Sequence, residues 1–161
     1  QENAEYTDPG PSGHAIEQNS TYALKSDAEA LKYMQQNIKG SPVVLEGISS
    51  QYRWTPRVAS YTGLPVVVGW EWHQIQQRAR FSKYVLQRID DVHTIFSTTD
   101  MDSAMNLLKL YEVAYIYIGP TERLYYPSPG LEKFPASAGK QLELFFQNSE
   151  VQIYKVLSQS N

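Results

Sequence analysis

The stretch Ser60-Tyr61-Thr62-Gly63-Leu64-Pro65-Val66-Val67-Val68-Gly69-Trp70-Glu71-Trp72-His73-Gln74-Ile75-Gln76-Gln77-Arg78 decides how this chain is read. Gly63 and Pro65 punctuate a turn. Val66 to Val68 then form an unbroken β-branched run of the kind found in strands covered on both faces. Gly69 ends the run, and Trp70, Glu71, Trp72, His73 and Arg78 follow it. Recognition groups crowded just past a strand end suit an open α/β sheet, whose ligands are met at the carboxyl edge of the strands.

Outward from this stretch, helical and strand patterns alternate. Ser26-Asp27-Ala28-Glu29 fits a capping box, and Leu24, Ala28, Leu31, Met34 and Ile38 recur at helical spacing until Gly40. Residues 42–46 read as a short buried strand ending on Glu46 and Gly47. The loop 48–56 carries Tyr52, Arg53 and Trp54, and residues 57–61 suit a helical turn. Residues 74–96 are helical in pattern, with Ile75, Ala79, Leu86, Ile89 and Val92 as inward candidates and a break near Phe81. Thr99 and Asp102 fit a second capping box, before a helix whose buried face is Ala104, Leu107, Leu108 and Tyr111. A third strand, 114–118, stops at Gly119-Pro120. Residues 127–139 read mostly as loop, with a helical turn at 131–134. Residues 141–146 and 151–156 alternate like an antiparallel hairpin.

Three strands separated by helices imply parallel pairing through right-handed crossovers. The expected fold is therefore α/β: a three-layer sandwich with a mixed sheet, three parallel strands plus a C-terminal β-hairpin. The single domain is expected at 23–157, with a polar N-terminal tail at 1–22 and a short C-terminal tail at 158–161.

At 161 residues, 42% hydrophobic and 19% charged, the chain suits one globular domain of ordinary size. A net charge of −3 without a basic block gives no reason to expect nucleic acid. The absence of cysteine removes disulfides, thiolate catalysis and cysteine-ligated metal together. Twelve tyrosines and three tryptophans suit either sheet borders or amphipathic ligands such as sugars. No apolar run approaches the ~20 residues that span a bilayer. The chain begins at Gln1 without a visible signal peptide and reads as a piece of a longer protein. Asn19-Ser20-Thr21 fits a glycosylation sequon.

If the topology holds, three strand ends face one way. Glu46 follows the first, the Trp70–His73 group the second, and Glu122 with Arg123 the third. The ligand-binding candidates are Glu46, Tyr52, Trp54, Arg57, Trp70, Trp72, His73, Arg78, Glu122 and Arg123. Glu46 either pairs with Glu71 as acid and base or forms a salt bridge to Arg57 or Arg78. Glu122-Arg123 either caps a helix or anchors a partner surface. Glu71 and His73 are the candidates for base chemistry, and no residue is assigned as catalytic. There is no HExxH, GxGxxG, Walker or GxSxG motif, and His14 and His93 have no ligand spacing to His73. No metal site and no cofactor are expected.

At these residues the chain resembles the C-terminal part of the YYY (Chlor_Arch_YYY) family of polytopic membrane proteins. The match runs from Ile48-Ser49-Ser50 through Arg57 to Pro65, then Gly69-Trp70 and His73 to Arg78. Asp91-Val92, Thr98-Thr99-Asp100, Tyr111, Val113, Tyr115 to Gly119, Glu122-Arg123, Tyr126, Leu131, Lys133 and Phe134 extend it, so that it spans roughly residues 41–156. The family resembles membrane-embedded glycosyltransferases that use lipid-linked sugars. The resemblance implies an extracytoplasmic soluble domain, membrane-tethered in the full-length protein, with the transmembrane region of its parent as partner. It would bind a glycan, acceptor or lipid-linked sugar head group. Trp54, Trp70 and Trp72 would stack on sugar faces, and Arg57, Arg78 and Arg123 would meet phosphate or carboxylate. Glu46, Glu71 and His73 would bond hydroxyls. Gln74 stands where the family has a Glu after the motif His, and Gln77 where it has a Trp before the Arg, so the isolated domain is expected to be non-catalytic. The alternatives are a structural domain packed on its own transmembrane half, and a small-molecule enzyme using Glu71 or His73 as base.

Overall fold

The computed structural model describes residues 4–8, 20–49, 54–69, 82–126 and 128–157. Among them, β1 (Glu5–Asp8) pairs antiparallel with β2 (Ser20–Ala23), across the stretch read above as a polar tail and one residue beyond it. Then follow α1 (Lys25–Asn37), β3 (Val43–Leu45), α2 (Arg57–Thr62), α3 (Ser82–Ser97) and α4 (Met101–Leu110). β4 (Val113–Ile118), α5 (Pro120–Tyr125), α6 (Ser128–Ala136), β5 (Leu142–Gln147) and β6 (Gln152–Val156) complete the order.

The main sheet has four strands in the order β3-β4-β6-β5. β3 and β4 are parallel, while β6 runs antiparallel to both β4 and β5. The domain is thus α/β with a mixed sheet. The valine run expected to be a third parallel strand is reduced to one parallel bridge, Val66 beside Val44, with the Val44 N–H donating to the Pro65 carbonyl at 2.8 Å. Pro65 has no N–H to give, so a ladder cannot continue backward through it.

Side chains alternate across the sheet, and helices cover both faces. Leu45, Ile116, Ile118 and Tyr154 join the cluster built with α3, α4 and α6, including Val92, Phe96, Leu108 and Phe134. Val44, Tyr117 and Ile153 join the opposite cluster with Ala30, Leu31 and Met34 of α1 and Val58 of α2. The period-2 alternation of a strand is what divides neighbours in this way.

Local details correct several expectations. α1 begins two residues early, after Leu24, with no side-chain cap. The residues of the expected capping box are used elsewhere: Ser26 Oγ bonds Ser149 Oγ at 3.2 Å, and Glu29 accepts from Asn148 Nδ2 at 3.2 Å. Tertiary partners in the β5–β6 turn have outcompeted the local cap. α4 is capped by Asp100, whose carboxylate accepts from the N–H groups of Asp102 and Ser103, both at 3.2 Å. Leu86 is exposed, because the inward stripe of α3 is Val85, Ile89, Val92 and Phe96. The break expected at Phe81 lies outside the described residues, as do Ile75 and Ala79. The helical turn expected at 131–134 is the middle of a longer helix, α6, which takes in residues read as loop on both sides. A Cβ on Gly130 would lie 2.3 Å from the Phe96 carbonyl oxygen, so this glycine is what lets α6 press against the end of α3.

Candidate functional site

β3 and β4 are adjacent and parallel, so their carboxyl ends open onto one edge. Glu46 and Gly47 follow β3, and Gly119 and α5 follow β4. The first turn of α1 and the amino end of α2 meet them there. Arg57, the first residue of α2, is fully buried at the centre of the junction.

Three carboxylates from three distant segments answer its guanidinium. Nε donates to Asp27 Oδ1 at 3.2 Å, Nη1 to Glu46 Oε2 at 3.4 Å and Nη2 to Glu122 Oε2 at 2.6 Å. The guanidinium also lies over the Tyr117 ring, 4.3 Å from its centroid, and the Tyr117 hydroxyl donates to Asp27. Each carboxylate is tied to further groups. Glu122 accepts from the N–H groups of Gly47 and Gly119, both at 2.8 Å, so one side chain links the two strand ends. Glu46 accepts from the Val58 N–H at 3.2 Å, and Asp27 from the Trp54 indole Nε1 at 2.7 Å. The Tyr126 hydroxyl accepts from the Ile48 N–H at 3.0 Å.

Packing is tight at the two glycines of this edge. A Cβ on Gly119 would lie 3.1 Å from Arg57 Nη2 and 3.3 Å from Asp27 Oδ1. A Cβ on Gly47 would lie 2.9 Å from the Tyr126 ring. Both glycines are therefore needed for close approach.

Three acids facing one cation leave an excess of negative charge in a dry environment. Glu46 relieves it: burial, opposed by Arg57 and reinforced by Glu122, pushes its carboxyl from 4.5 up to about 7. Burial works to lower the Arg57 pKa, but Glu122, Asp27 and their neighbours hold it well above its ordinary value. The Tyr117 hydroxyl is pushed well up, chiefly by burial. With the guanidinium at its centre, the cluster is no cation cage. Among the described residues no group of three or more His, Asp or Glu side chains could hold a metal ion.

The sequence-derived candidates thus divide. Glu46, Arg57 and Glu122 meet in this cluster, and the salt bridge weighed for Glu46 and Arg57 is present. Glu122 also reaches back to the Gly119 N–H, as a cap on α5. Trp54 is joined to the cluster through Asp27 and is half-buried. Its ring centroid is 5.9 Å from that of Tyr6 and 5.5 Å from that of Tyr61. Arg123 turns toward β6, its Nη1 donating to the Glu150 carbonyl at 2.5 Å and its Nη2 to Gln152 Oε1 at 3.3 Å. There it lines a cleft of about 220 Å³ with Ser128, Glu132 and Gln152. Tyr52, Trp70, Glu71, Trp72, His73 and Arg78 lie outside the described residues.

Sequence reasoning missed Asp27, Tyr117 and Tyr126. Asp27 was visible as a carboxylate on the same helical stripe as Ala30, Leu31 and Met34. A buried acid on an apolar face requires a partner.

A second feature adjoins Trp54. α1, Trp54 and Tyr61 enclose a cleft of about 610 Å³, lined also by Lys25, Lys32 and Gln35. Tyr61 is 55% exposed, and its carbonyl accepts from Gln35 Nε2 at 2.5 Å.

No family model matches the chain, and no curated protein matches it. Among solved structures, the chain is similar to the C-terminal globular domain of an oligosaccharyltransferase from Archaeoglobus fulgidus. The TM-score is 0.52 at 15% identity, over 81% of this chain and 95% of that one. At that identity the likeness is one of fold. No helix among the described residues is long and apolar enough to cross a membrane.

Proposed function

We propose that this chain is the globular domain of a glycan-handling, glycosyltransferase-like membrane protein, and that it binds a glycan, an acceptor or a lipid-linked sugar head group without itself performing the transfer. The reading is supported by the fold shared with the oligosaccharyltransferase domain. The observation that carries it is the buried Arg57 cluster at the carboxyl edge of β3 and β4. It ties Trp54, Gly47 and Gly119 to one rigid base, and such an edge is where ligands meet an open α/β sheet.

In this reading Arg57, Glu46 and Glu122 are positioning residues. They hold Gly47 after β3, Gly119 after β4 and, through Asp27, the Trp54 indole. The indoles stack on sugar faces, and Glu71, His73, Arg78 and Arg123 supply polar contacts at the rim. The domain works outside the cytoplasm, held near the membrane by the rest of its parent protein.

Titration of the 161-residue chain with neutral oligosaccharides and with isoprenyl-phosphate-linked sugars tests this. Saturable binding that Trp70→Ala weakens roughly tenfold is expected, from the loss of one stacking face. Failure of both ligand classes to bind, with the fold intact by circular dichroism, would overturn the proposal.

A further inference from the structure

The cleft between α1, Trp54 and Tyr61 combines two kinds of recognition. Its aromatic wall is fixed in place. The Trp54 indole is pinned by Asp27, its ring is flanked by Tyr6 and Tyr61, and Gln35 holds the Tyr61 backbone. Its other wall is cationic. Lys25, Ala28, Lys32 and Gln35 form one stripe along α1, at the three- and four-residue steps that put side chains on a single face. The two lysines are about 10 Å apart along the helix axis.

Among the described residues the charge lining the cleft is one-sided. Among the described residues no carboxylate lines it, and neither Lys25 nor Lys32 forms an ion pair with any of them. Asp27, the nearest acid on α1, is buried and committed to Arg57, Trp54 and Tyr117. Glu29 is turned to Asn148. A volume of about 610 Å³ is in the range of small-molecule sites. Aromatic rings suit the apolar face of a sugar, and ammonium groups suit an anion.

We infer that this cleft is a seat for a phosphate-bearing sugar, the saccharide ring on Trp54 and Tyr61 and the phosphate between Lys25 and Lys32. The inference rests on the glycan-binding reading above and deepens it by naming the ligand class and the residues. The glycosyl phosphate comes either from a lipid head group or from a free sugar phosphate, because the recognition chemistry is the same.

The test is calorimetric titration of the intact chain with glucose 1-phosphate, glucose, inorganic phosphate and a short-chain isoprenyl phosphate sugar. Glucose 1-phosphate is expected to bind more tightly than glucose or inorganic phosphate alone, and to weaken as salt is raised. Tyr61→Ala is expected to reduce its affinity roughly tenfold. Lys25→Ala and Lys32→Ala should each cost about threefold, as exposed charge contacts do. Lys39→Ala, on the exposed end beyond α1, is the control and should leave affinity unchanged. Tyr61 and the lysines are exposed, so their variants should retain the fold. Tighter binding of the isoprenyl phosphate sugar identifies a lipid head group as the source, and equal binding identifies a free sugar phosphate. Equal affinities for glucose and glucose 1-phosphate, or no binding, would overturn the inference, as would full affinity in all three variants. If Trp70→Ala abolishes glycan binding while Tyr61→Ala and the lysine variants do not, the glycan-binding reading survives and this cleft is not its phosphate seat.

Discussion

Arg57 and Arg123 make an instructive pair. Both lie near the carboxyl edge of the parallel strands, and both were read from sequence as anion-binding groups. Arg57 is sealed inside, with three carboxylates of its own chain around it. Arg123 is exposed, and its partners are a backbone carbonyl and a neutral amide. The first organises the edge, whereas the second lies on its surface. A guanidinium at a strand end is thus structural or available according to how many acids the fold brings to it.

The largest effect should come from removing the central cation. Arg57→Met leaves three buried acids without their counter-charge and should cost about 4 kcal/mol of stability. A shift of the urea midpoint measures it, and an unaltered midpoint would sink the account of the cluster. The pH dependence comes next. Because the Glu46 carboxyl is raised to about 7, the folded chain keeps a proton that the unfolded chain releases near 4.5. Its contribution is fully present below pH 4.5, is lost as pH rises to 7, and is level above that. Stability should fall by about 3 kcal/mol across this window through Glu46. Glu46→Gln should flatten that part of the pH profile; an identical slope in the variant would assign the titration to another group.

Gly119→Ala probes the same cluster by crowding it. The new methyl group would sit 3.1 Å from Arg57 Nη2, and a cost of about 2 kcal/mol is expected. A neutral substitution would mean that the guanidinium shifts at little cost. Arg123→Ala should be the mildest, at about 0.5 kcal/mol or less, as for other exposed polar contacts. A loss as large as that of Arg57→Met would erase the contrast between the two arginines.

The sequence was informative where local physics governs. Leu31 and Met34 on one stripe of α1, the alternation around residues 114–118, and the Gly119-Pro120 stop all follow from periodicity and backbone restriction. Glu46 beside Arg57 was also within reach, because a carboxylate ending a buried strand needs a cation. Local patterns misled where distant groups competed. Ser26 and Glu29 have the form of a capping box, yet Ser149 and Asn148 engage them across more than a hundred residues. The valine run has the composition of a strand but only one bridging residue, since Pro65 before it offers no donor and the chain bends at Val67 after it. The run 128–136 lacks a strong helical signature, and its glycine is used for contact with Phe96.

By itself, the sequence determined the α/β class, the helical and strand periods and the chemistry available at the strand ends. Those are properties of neighbours along the chain. The tertiary structure alone decided that Asp27, Glu46, Arg57, Tyr117 and Glu122 share one buried space, while Trp54, Tyr61, Lys25 and Lys32 border an open one. Whether a charged group is enclosed or reachable depends on what the rest of the fold packs around it, and no short window of residues contains that information.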